Sequence, residues 1–151
     1  YAYFRDNVLT PQGDQVTAEV AVQVLASEPF DFAFVYFGTV DEAGHAHGWL
    51  SDGYFDQLAR TDQALKRVLD PLPADSHVLL QADHGGHDRT HGTPAPEDMT
   101  IPWMVAGPSI RPGYTLPGPV SLLDTAPTLA RLLGLTPHPQ WEGRCVEAAF
   151  L

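Results

Sequence analysis

The 151-residue sequence predicts an α/β fold, a largely parallel sheet flanked by helices. Strand-length apolar runs alternate with segments of helical periodicity, and Asp and His residues collect just after two of the runs, where open α/β sheets bind ligands. From Val16 to Ser27, Val20 with Val24 and Ala21 with Leu25 recur at helical spacing. Val20, Val22 and Val24 also alternate as a strand would, but the segment is read as helix. Asp31 to Gly38 is a near-continuous apolar and aromatic run, the pattern of a central strand covered on both faces. From Asp52 to Leu69, Tyr54, Leu58, Leu65 and Val68 recur among charges until Pro71 and Pro73 stop the pattern, which predicts an amphipathic helix. His77 to Ala82 and Ile101 to Ala106 read as two further buried strands, with Pro102 at the start or edge of the second. Ser109 to Pro119 is a turn-bearing connection with room for a short strand near Tyr114. Asp124 to Leu133 reads as a closing helix, with Asp124 as N-cap and Gly134 just past its end.

Length and composition fit one domain able to bury its own core: hydrophobic residues make up 44% and charged residues 18%. The formal net charge of -11 opposes nucleic-acid polymers and anionic membrane surfaces, so phosphate chemistry here needs a local cation. Cys145 is the single cysteine, which rules out an internal disulfide. No apolar run approaches the roughly 20 residues that span a bilayer, and nothing in the chain assigns a compartment.

The chemistry lies in two clusters: Asp41 and His45 follow the first predicted strand, and Asp83 and His84 follow the second. A lone Asp or His in a loop is ordinarily solvated or a cap. Clustered at strand ends beside recurring glycines, carboxylates and imidazoles form the ligand mix that suits zinc, with manganese or iron next. Trp49, Trp103 and Trp141 are expected in the core or at its rim, and Arg89 in a surface ion pair.

Asp41-x-x-Gly44-His45-x-x-Gly48 resembles the D-x-x-G-H-x-x-G element of the type I phosphodiesterase/nucleotide pyrophosphatase family, within the alkaline phosphatase (sulfatase-like) superfamily. Ala82-Asp83-His84-Gly85-Gly86, His91-Gly92-Thr93, Ile101-Pro102-Trp103 and the Leu122–Leu129 segment are similar to further blocks of that superfamily, in the same order. The resemblance implies a two-metal site for phosphoric esters, with Asp41, His45 and His91 on one ion and Asp83 and His84 on the other. Two such ions clamp the attacking and leaving oxygens of an in-line displacement at phosphorus. It also implies a Thr or Ser nucleophile and a further Asp upstream of Asp41. Neither has a match, because Asp6, Thr10 and Asp14 read as loop residues.

The chain is therefore expected to be the C-terminal portion of an alkaline-phosphatase-like metallohydrolase domain, inactive by itself, with two divalent ions, zinc first, and a small phosphate ester as substrate. Other superfamily branches (phosphomonoesterase, sulfatase or phosphomutase) and a non-catalytic metal-binding remnant or partner module are the alternatives. His87 competes with His91 for one ligand place; His91 is preferred because Gly92-Thr93 follows it, which leaves His87 as a candidate substrate contact. A sheet lacking its first strand would expose an edge able to pair with another chain.

Overall fold

The structure, a computed structural model, describes residues 10, 12–27 and 29–151, so Asp6 lies outside the described residues. It forms two compact units, Tyr1–Leu72 with His84–Thr100, and Pro73–Asp83 with Ile101–Leu151.

The first unit is helical. Helix α1 (Gly13–Ser27) begins three residues earlier than the periodicity indicates, and helix α2 (Thr39–His47) follows the aromatic run. Helix α3 (Asp52–Leu69) has the predicted extent, and it packs against both α1 and α2. It starts where Ser51 Oγ accepts from the Tyr54 amide at 3.2 Å, answering one of the amides that a helix start leaves unpaired. Small residues set the α1–α3 contact: Ala18, Ala64 and Val68 are buried, with Ala21, Val22, Leu25, Val35 and Phe37 packed around them.

The expected central strand is not formed. Among the described residues Asp31–Gly38 joins no sheet; Val35 and Phe37 turn to the core, while Phe32, Phe34 and Tyr36 are 53%, 79% and 51% exposed. An apolar run records that both faces favour burial, but a strand exists only where a second backbone answers its amides and carbonyls. Asp41 and His45 accordingly stand on helix α2, one turn apart, rather than on a strand-end loop.

Asp14 also departs from expectation. It lies in the first turn of α1, is 1% exposed, and is no loop residue. Its Oδ1 accepts from the amides of Gly38 (3.1 Å) and Thr39 (3.2 Å). Its Oδ2 accepts from the Thr39 and Thr61 hydroxyls, each at 2.5 Å. Gln57 in turn donates to Thr39 Oγ1 at 2.7 Å. A carboxylate of α1 thus supplies the N-terminal cap that α2 lacks in its own sequence, where the helix dipole favours negative charge.

The second unit holds strands β1 (Val78–Gln81) and β2 (Trp103–Ala106), antiparallel with Val78 opposite Ala106 and Gln81 opposite Trp103. The pair corrects the expectation of a largely parallel sheet, since among the described residues no other strand joins it. Pro102 sits just ahead of β2, where its missing N–H breaks no ladder bond. A short helix α4 (Pro96–Met99), unforeseen in the sequence, belongs to the first unit, and helix α5 (Thr125–Leu132) to the second. Asp124 stands at the N-cap position of α5, but its side chain closes the 3-10 turn ahead, accepting from the Ser121 amide at 2.9 Å while Ser121 Oγ accepts from Leu123. Ile110, Ala149 and Phe150 form the second unit's buried cluster. Trp103 donates to Thr125 Oγ1 at 3.0 Å, whereas Trp141 is 46% exposed, against the expectation that it packs.

Candidate metal centre

Helix α2 and the loop from His84 to His91 bring four of the five predicted ligands together in the first unit. Asp41 Oδ1 lies 3.6 Å from His45 Nε2, 3.6 Å from His91 Nε2 and 3.8 Å from His84 Nε2. Ligand atoms of Asp41, His45 and His91 all fall within 4.8 Å of one another. The Asp41–His45 pairing follows from helical geometry, because residues four apart share one face. Asp83 is exposed, just past the end of β1, and belongs to the second unit. His84, grouped by sequence with Asp83, stacks its ring on His91 with centroids 3.8 Å apart.

Those separations exceed a hydrogen bond, which runs to about 3.2 Å. They approach the spacing of two ligands on one cation, about 3.4 Å for bonds near 2.1 Å in tetrahedral array. Asp41 Oδ1 is buried and has no hydrogen-bond partner among the described residues. A carboxylate oxygen withdrawn from water with nothing to accept from is costly, and a cation among the imidazole nitrogens removes that cost.

The imidazoles are also oriented for ligation. His45 Nδ1 is 3.0 Å from the Arg89 carbonyl oxygen and His84 Nδ1 is 2.8 Å from that of Gly85. A carbonyl only accepts, so each Nδ1 carries a proton, and it is the Nε2 of each ring that faces Asp41, the nitrogen whose lone pair a metal would take. Arg89 thus contributes its carbonyl, while its side chain is exposed. The donor set fits a divalent cation.

Aromatic residues wall the cluster. The Trp49 ring meets His45 edge-on at 5.2 Å and His91 at 5.9 Å, and Tyr54 lies 6.2 Å from Trp49. A Cβ on Gly44 or Gly86 would come within 2.7 Å or 2.2 Å of the indole, so both positions require glycine for the close approach. Burial, then the negative charge of Asp41, holds the Tyr54 phenol above its ordinary pKa and so neutral. Sequence reasoning missed Tyr54 as a site residue, because its spacing in α3 reads simply as the helix's apolar stripe.

His87 faces elsewhere: its Nδ1 pairs with Asp98 Oδ1 at 2.7 Å. Asp98 was not singled out in the sequence.

Compared with known proteins, residues 7–137 match the family described as the Metalloenzyme superfamily. A phosphopentomutase of Herpetosiphon aurantiacus is 33% identical over 107 residues, covering 70% of this chain and 27% of that protein. A phosphopentomutase of Chromohalobacter salexigens is 28% identical over 135 residues, covering 87% and 32%. A 2,3-bisphosphoglycerate-independent phosphoglycerate mutase of Desulforudis audaxviator is 32% identical over 137 residues, covering 83% and 25%. The chain spans about a quarter to a third of the length of these relatives. No solved structure matches it. The relatives are phosphomutases, so the resemblance holds for the superfamily and not specifically for the nucleotide pyrophosphatase branch.

Proposed function

The chain belongs to the Metalloenzyme superfamily, and from that premise we propose that it is the metal-binding portion of a phosphomutase-type enzyme that moves a phosphoryl group on a small phosphate ester. The observation that carries this reading is Asp41 Oδ1, buried, without a hydrogen-bond partner among the described residues, and ringed by three imidazole nitrogens. The names of the relatives supply the reaction class, phosphoryl migration in a phosphopentose or a phosphoglycerate.

Asp41, His45 and His91 would hold one divalent ion, and His84 would serve a second. Bound there, such ions would neutralise phosphoryl charge and activate a nucleophile. The chain's own residues do the rest. The Arg89 and Gly85 carbonyls hold two imidazoles in the ligating tautomer. Trp49 packs against the His45 and His91 rings, and Tyr54 keeps its proton. The hydroxyl nucleophile and its companion Asp are assigned to sequence outside these 151 residues, and His87 is placed as support for the site rather than as a substrate contact.

Manganese or zinc titrated into the chain should bind saturably, and Asp41→Ala or His91→Ala should abolish that binding. In the protein extended upstream of Tyr1, phosphorus NMR should show phosphoryl migration in a phosphopentose or phosphoglycerate. Cleavage of a nitrophenyl phosphodiester without migration would instead return the reaction to the phosphodiesterase branch that the Asp41–Gly48 spacing resembles. Metal uptake with neither reaction would favour a metal-binding module.

A further inference from the structure

The loop that carries His84 and His91 has no regular structure long enough to stiffen it, yet it must hold two imidazoles against Asp41. One residue reaches it at three places, two through its carboxylate and one through its backbone carbonyl. Asp98, 2% exposed on α4, accepts at Oδ1 from His87 Nδ1 at 2.7 Å. Its Oδ2 accepts from the Thr93 amide at 2.8 Å and from the Thr93 hydroxyl at 2.7 Å. Its backbone carbonyl accepts from the Gly85 amide at 2.8 Å. Gly85 adjoins His84, and Thr93 lies two residues past His91.

The His87 branch extends to the third imidazole. His87 and Thr90 close a tight turn by exchanging amide–carbonyl bonds of 3.0 and 2.9 Å, with Asp88 in the left-handed region at φ +47°. The two carbonyls at the tip of that turn point to α2 and its end. Asp88 accepts from the Trp49 amide at 2.7 Å, and Arg89 accepts from His45 Nδ1 at 3.0 Å. The path from Asp98 through His87 and the turn therefore ends on the proton that fixes the tautomer of His45.

From this geometry we infer that Asp98 is the positioning residue of the metal centre, presetting His84, His91 and His45 through Gly85, Thr93 and the His87–Thr90 turn. It touches neither metal nor substrate. The inference rests on the metal-binding reading above and assigns His87 a supporting role within it. Outer residues that orient ligands typically alter metal affinity by about 10- to 100-fold when replaced.

Cobalt(II) is the probe, because its visible absorption reports ligand geometry independently of turnover. Asp98→Asn turns one carboxylate oxygen into an NH2 donor, so the side chain can no longer accept from both His87 and Thr93. We expect cobalt affinity to fall about 10- to 100-fold and the visible band to change shape, with far-ultraviolet dichroism unchanged. His87→Ala and Thr93→Val, which keep Asp98, should each reproduce part of the loss. Asp70→Asn, which removes only an exposed partner of Lys66, should leave affinity and spectrum at the parent values. A folded Asp98→Asn variant with parent affinity and spectrum would overturn the inference while leaving the metal site standing. Should Asp98→Asn fail to fold, parent-like cobalt binding in both His87→Ala and Thr93→Val overturns it equally. A parent chain that takes up no cobalt removes the metal-binding reading, and this inference with it.

Discussion

Asp14 and Asp98 are both almost inaccessible, and every oxygen of their carboxylates meets a donor. Asp41 is about a third exposed as a side chain, yet its Oδ1 is buried and meets none among the described residues. Burial of an acid is therefore not what distinguishes the candidate centre from its scaffold. The two answered carboxylates tie segments together, α1 to the start of α2 in one case and α4 to the histidine loop in the other. The unanswered one stands where those segments converge.

The contrast predicts opposite signs on substitution. Asp41→Ala should eliminate metal binding by isothermal titration, while the urea midpoint of the metal-free chain holds or rises, because an unsatisfied acceptor has been removed. A clear fall in that midpoint would place Asp41 with the structural acids. Asp14→Ala should do the reverse to the fold: four donors lose their acceptor, and unfolding free energy should drop by about 3 kcal/mol. Unchanged stability on denaturant titration would break the comparison from the other side.

The smallest effect is local and depends on pH. Hydrogen bonding to His87, then to Thr93, lowers the Asp98 pKa to about 2. The hydrogen bond to Asp98, reinforced by the charges of Asp98, Asp88 and Glu97, raises that of His87. A lowered carboxylate contributes fully above its unfolded value near 3.9 and loses that contribution as pH falls toward 2; a raised imidazole contributes fully below about 6.5 and loses it as pH climbs through its folded value. Amide exchange at Gly85 and Thr93, corrected for intrinsic rates, should thus show greatest protection between about pH 4 and 6.5. Flat protection across that range would show that the pair does not hold the loop.

Features that depend on short sequence spans were legible. Helix α3 is announced by its own periodicity and by Pro71 and Pro73 behind it, and Asp41 and His45 are grouped by their nearness in sequence, though not by the helix α2 that carries them. Features that depend on distant partners were not. Asp14 resembles a loop residue until Thr39 and Thr61 are seen to reach it from 25 and 47 positions away. Asp31–Gly38 carries every compositional mark of a strand, but pairing is a property of two segments. Between His87 and His91, spacing alone offered two candidates, and the structure places His91 beside Asp41 while Asp98, eleven residues on, engages His87.

The indole of Trp49, lying within van der Waals exclusion of both Gly44 and Gly86, constrains how this sequence can change over time. Neither glycine can gain a methyl group while the tryptophan remains, and a smaller residue at 49 opens space that either glycine could then fill. Substitutions at the three positions are therefore ordered: Trp49 must yield first, and the penalty of Gly44→Ala or Gly86→Ala should shrink in a Trp49→Ala background. That dependence links the helix bearing Asp41 to the loop bearing His84 as a single heritable unit.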